Sequence, residues 1–268
     1  MRLSPFFPLV LAALLGSAAP LAAQPRHARR PARVQPDPRP AEPSPEALAD
    51  LANQEGRYPW RLAIVTTIFW VGEPPAKNNP VSNVASAWDA DWQTSFGGYD
   101  DPARAGRKNL LPLGFVPKQN PFYIALPYND VKDHHVTKPE AAAVVPWYKA
   151  LFRKPGVSVC RNRWVAVRKG NRVCYAQWSD CGPFRTDHWQ YVFGDERPRP
   201  NLNHGAGLDV SPAVRDFLRL NDGHDLTDWR FVELDEVPDG PWTRYGNNNQ
   251  FVQQGIPSRR LASNGGGR

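Results

Sequence analysis

The sequence predicts a mainly β fold, a small closed barrel with one or two short helices and long loops. Three observations lead there. Short runs rich in β-branched and aromatic residues recur at 61–69, 122–126, 163–180 and 227–234. A two-residue turn, Gly170-Asn171, joins two of these runs as a hairpin. Only Pro212–Leu220 has a clear helical period, with Val214, Phe217 and Leu218 on one face. Several short strands with so little helix to cover them bury their edges most simply by closing on themselves.

Residues 1–23 have the pattern of a secretory signal peptide. Arg2 is the charged start, Phe6 to Leu21 is the apolar run, and Ala22-Ala23 are small residues before a cut at Gln24. Pro8, Gly16 and Pro20 interrupt the run, so a retained membrane helix is not expected in the mature chain. Residues 24–55 are rich in Pro, Arg and Ala, lack an apolar period, and are expected to be a disordered linker. The barrel is expected over 56–245, and a flexible polar tail over 246–268. The net charge of +7 is carried largely by these ends, through residues such as Arg29, Arg30, Arg259 and Arg260. For an exported chain, basic ends suit an anionic envelope polymer better than nucleic acid.

Within the barrel region, Tyr58 to Trp70 is the first strand, stopped by the turn Gly72-Glu73-Pro74-Pro75. Residues 76–120 form a long loop whose aromatics, Trp88, Trp92, Phe96 and Tyr99, can pack it internally. Phe122 to Leu126 is the second strand. A short helix is expected within 138–152, limited by Pro146. The hairpin follows, and if its turn sets the register, Cys174 faces Val167 and Cys160 faces Cys181. An exported chain with three cysteines is expected to form one disulfide. Cys160–Cys181 is favoured, with Cys160–Cys174 the alternative if the strand bends.

Ala206 to Pro212 joins a strand to the helix. Leu208 and Val210 are its apolar residues, Ser211 is an N-cap, and Pro212 sits at the first helical position. Asp209 therefore stands where a strand hands over to a helix. It either faces a cleft or supports the helix start. The helix terminus would lower its proton affinity, whereas burial beside a second acid would raise it. Thr227 to Leu234 closes the barrel.

Read in order, several stretches resemble the double-psi β-barrel group, which includes barwin, expansins, rare lipoprotein A and the membrane-bound lytic transglycosylase A type. Thr67 to Gly72 is similar to the opening strand of expansins, and Ala125 to Asp130 to their Ala-Leu-Phe-Asn-Asp stretch. Ser179 to Phe184 resembles the Asn-Asp-Arg-Gly-Pro-Phe of rare lipoprotein A, and Gly207 to Ser211 resembles the group's Asp-Leu-Ser. The resemblance implies a six-stranded double-psi barrel whose groove holds an extended wall polysaccharide, peptidoglycan first. It implies a catalytic acid at Asp209 and a second acid at Asp180, with Asp130 in the groove. The His that rare lipoprotein A carries before its Leu-Pro is absent from Tyr123 to Pro127.

Two functions are therefore expected in competition. In a lytic transglycosylase-like enzyme, Asp209 protonates the glycosidic oxygen and then serves as base while a sugar hydroxyl attacks. In a non-catalytic, expansin-like module, rings stack on sugars. Trp70, Tyr128, Trp178, Trp189 and Tyr191 are the candidates for stacking. His134-His135 with Asp130 and Asp133 is read as a solvated loop rather than a metal site, and Cys181 with His204 does not make a thiol protease pair. No nucleotide fingerprint occurs. A monomer without metal or cofactor is expected.

Overall fold

The computed structural model describes residues 56–255, apart from Asn78 and His134. The expected signal peptide, the linker and residues 256–268 lie outside the described residues. Six strands close a mixed barrel in the order β1-β7-β4-β6-β5-β8. They are β1 (Arg61–Ile68), β4 (Tyr123–Leu126), β5 (Trp164–Lys169), β6 (Arg172–Cys181), β7 (Leu208–Val210) and β8 (His224–Phe231). A two-residue ribbon, β2 (Arg107–Lys108) with β3 (Leu111–Pro112), stands outside it. The pairs β1/β7 and β4/β6 are parallel, and the other four barrel pairs are antiparallel. No helix among the described residues is long and apolar enough to cross a membrane.

The hairpin has the register its turn predicts, with Val167 opposite Cys174 and Lys169 opposite Arg172. Ile64, Ile124, Val165, Val167, Trp178, Leu208, Val210, Trp229 and Phe231 meet in the main core. β4 is buried on both faces, which explains why Tyr123-Ile124-Ala125-Leu126 is continuously apolar rather than alternating. Tyr123 and Ala125 turn away from Ile124 into a second, smaller core with Phe69, Val71, Trp92 and Phe96. The long loop supplies two of these rings. Its helix Trp92–Phe96 sets Trp92 5.3 Å and Phe96 5.8 Å from the Tyr123 ring.

Pro146 splits the expected helix of 138–152 into two short turns, Ala141–Val144 and Tyr148–Leu151. The helix Pro212–Leu218 starts as its sequence predicts. The Ser211 hydroxyl accepts from Val214 N at 3.3 Å and donates to Pro121 O at 2.8 Å. Ser211 thus closes a helix and ties it to the approach of β4. Ser211→Ala is expected to cost about 2 kcal/mol, read as a lower urea midpoint at unchanged slope.

Two expectations need correction. Residues 246–255 do not behave as a tail. Asn249 caps a helix, Gln250–Gln254, whose Phe251 packs 5.6 Å from the Trp164 ring, while Asn248 Oδ1 accepts from Asn120 N at 2.8 Å. Capping and bridging roles suit Asn and Gln, so their polarity concealed an ordered segment. The disulfide is also not formed, since Cys160, Cys174 and Cys181 are all free. Cys181 Sγ donates to Tyr128 O at 3.1 Å, while the buried Cys160 thiol engages Asp130.

Candidate functional site

The strand registers assemble one row of side chains. Thr67 of β1 lies opposite Asp209 of β7, Asp209 opposite Ala125 of β4, and Ala125 opposite Asp180 of β6. Directly opposed residues point to the same face of a sheet. The row therefore reads Thr67, Asp209, Ala125, Asp180, with the small Ala125 leaving room between the two acids. Two strand spacings separate the Cα atoms of those acids, about 10 Å.

Asp180 joins this row only through a β-bulge. Ile124 pairs with Trp178, yet the next residue, Ala125, pairs with Asp180, so Ser179 is the extra residue. Strict alternation would put Trp178 and Asp180 on one face. The bulge instead sends the Trp178 ring into the main core and the Asp180 carboxyl to the opposite side.

The four residues of the row share one cleft. A cleft of about 1010 Å³ lies over them, lined by Thr67, Asp209, Ala125 and Asp180. Asp209 accepts a short hydrogen bond from the Thr67 hydroxyl. Burial pushes its carboxyl up to about 7; the Thr67 bond opposes this, and the charges of Glu73 and Asp180 add to it. Burial likewise raises Asp180 to about 6, against bonds to its Oδ1 from Ala87 N at 2.7 Å and Cys181 N at 2.8 Å. Since Ser211 caps the helix, Asp209 is free of that duty. Of the two opposing influences on Asp209, burial prevails.

The walls contain residues that sequence reasoning missed. Glu73, read as part of a turn, lines the cleft with its carboxylate held by Asn83 Nδ2 at 2.8 Å, and burial raises its proton affinity. The segment it begins ends at Ala87, whose N–H binds Asp180. One loop thus spans from one acid to another. Phe184, 42% exposed, also lines the cleft. Gly182 passes so close that a Cβ there would sit 3.3 Å from Asp209 Oδ2. Gly182-Pro183 is visible in the sequence, within the stretch Ser179 to Phe184; its closeness to Asp209 is not.

Most of the expected sugar-binding residues are placed elsewhere. Trp70 alone lines the cleft, half-buried, its Nε1 donating to Tyr99 OH at 3.1 Å. Asp130 is fully buried, accepts from Val159 N at 2.7 Å and from the Ser158 hydroxyl, and is not among the residues lining the cleft, so it closes a loop. Tyr128 and Trp178 are core residues, packed 5.2 Å and 6.3 Å from Phe193. Tyr191 is buried with its hydroxyl accepting from Trp229 Nε1 at 2.7 Å. Trp189 packs against the main core and is not among the residues lining the cleft. These rings were drawn inward by the apolar area they bury. His134 lies outside the described residues, and Asp133 caps its own turn through His135 N.

No family model matches the chain, and no curated protein matches it in a sequence search.

Proposed function

We propose that this chain is an exported wall-polysaccharide-acting protein that binds peptidoglycan in its barrel cleft and cleaves it in the manner of a lytic transglycosylase. The observation that carries this reading is the row of Thr67, Asp209, Ala125 and Asp180 beneath one open cleft. The resemblance of its motifs to the double-psi barrel group supports the same substrate class. The N-terminal pattern of residues 1–23 supports export, and a cleft furnished by one chain supports action as a monomer.

Asp209 holds its proton to about 7, and gives it to the glycosidic oxygen as the C–O bond breaks. The resulting carboxylate takes the proton of the sugar hydroxyl that attacks the anomeric carbon, leaving an anhydro sugar. Thr67 orients the carboxyl. Asp180, which ionises at about 6, supplies negative charge beside the oxocarbenium-like centre. With two coupled acids, activity is expected to be bell-shaped, with limbs near 6 and 7 that belong to the pair. Asp180→Asn is expected to abolish the acidic limb and lower the maximal rate by about 10²-fold, read from a pH–rate profile.

The deciding experiment incubates mature protein with purified peptidoglycan sacculi and analyses the soluble products by mass spectrometry. Anhydro-muropeptides are the expected result. Reducing-end products would replace this reading with a two-carboxylate hydrolase. Co-sedimentation without products would replace it with the expansin-like binding module, and neither products nor binding would overturn it.

A further inference from the structure

One end of the cleft has a different chemistry from its acidic floor. His204, in the loop before β7, and His224, the first residue of β8, stack face to face with ring centroids 4.4 Å apart and planes 28° apart. Both rings are exposed, and both line the same cleft as Asp209. Their position follows from the register. Thr67 pairs with Asp209 on one side of β1 and with His224 on the other. His224 therefore extends the row by one strand, about 10 Å from Asp209 at the Cα atoms.

The charges around the pair are already matched. Asp222 is held by Arg104 and Arg215, Asp216 by Arg104, Arg107 and Arg215, and Asp225 by Lys169. These three carboxylates thus have cations of their own. No hydrogen bond or ion pair from either imidazole to an acid is among the described contacts, and Asp209 across the row is turned to Thr67. Two stacked imidazoles repel when both are protonated, and an anion between or beside them removes that repulsion. Meanwhile Asp209, Asp180 and Glu73, once ionised, make the rest of the cleft a poor place for a negative group.

We propose that the His204–His224 pair is a subsite for a carboxylate-bearing substituent of the glycan, which selects acidic over neutral chains and sets the direction in which they lie across Asp209. This inference rests on the glycan reading above. The carboxylate is directed to the histidine end because the acid row excludes it, and the neighbouring uncharged sugar then falls over Asp209.

The test measures binding by calorimetry at pH 7.5, where Asp209 and Asp180 carry their charge. The probes are a soluble muropeptide, with its lactyl-peptide carboxylates, and a neutral N-acetylglucosamine oligomer of equal sugar count. Wild type is expected to favour the muropeptide by about tenfold. In the double variant His204→Ala/His224→Ala that ratio is expected to fall to about one. Both side chains are exposed, and an unchanged melting temperature checks that the variant is folded. A preference that survives in the variant, or equal binding of both probes by wild type, overturns the subsite while leaving the glycan reading intact. Binding of neither probe overturns both.

Discussion

Asp209→Asn is expected to lose glycan cleavage and gain stability at the same time. The loss follows from the role of the residue. An amide at the end of β7 keeps the shape of the carboxyl and the bond to Thr67, but has no proton to give, so turnover is expected to fall by about 10³-fold. The gain follows from linkage. Burial holds the folded-state carboxyl at about 7 against an ordinary value of 3.8. Between those values the folded chain binds a proton that the unfolded chain has released, so stability declines as pH rises through this window. The contribution is fully present below the lower value and lost above the upper one. Asn carries no such penalty, and at pH 8 the variant is expected to be about 4 kcal/mol more stable than wild type. At pH 4 the two should unfold together. Denaturation curves at both pH values check this, and a variant that is less stable at pH 8 would make Asp209 a structural residue.

That trade of stability for chemistry was only partly legible in the sequence. The place of Asp209 could be read, because Ser211-Pro212 marks a helix start and Leu208 and Val210 mark a strand. The hairpin register could be read from Gly170-Asn171 for the same local reason. What surrounds Asp209 could not, because it comes from strands distant in the chain. Thr67, Ala125 and Asp180 meet it through pairings that no local pattern specifies, and the bulge at Ser179 reverses the face that alternation would assign to Asp180. The aromatics misled for a related reason. Tyr128, Trp178 and Tyr191 have the composition of a sugar-stacking set, but a ring offers the same apolar area to a core as to a ligand. Nothing in their spacing separates the two uses. Glu73 was hidden by its neighbours, since Gly72 and Pro74-Pro75 read as a turn and drew attention from the acid between them.

The largest loss of stability is expected from Arg107→Leu, through a network that holds the long loop against the site strand. Asp100 is fully buried, and the Arg107 side chain is 2% exposed. They form a short ion pair, and Arg107 also donates to Asp101 O and Leu110 O, each at 2.9 Å. Tyr123 OH donates to the other Asp100 oxygen at 2.8 Å and accepts from Val71 N at 3.0 Å. Tyr123 is two residues before Ala125 on β4 and shares its face, so this network anchors the loop to the strand at the centre of the acid row. Removing Arg107 leaves the Asp100 charge without its cation in an interior that cannot solvate it, at a cost of about 4 kcal/mol. The cost lies in the orphaned partner rather than in the pair, which makes a double-mutant cycle the informative measurement. Asp100→Leu/Arg107→Leu, which removes both charges and keeps apolar volume, is expected to be more stable than Arg107→Leu alone. If the two single losses simply add, the pair does not work as a unit. If they compensate as expected, the network's role is to make the loop's position depend on β4, so that the wall of the cleft and its floor move as one body.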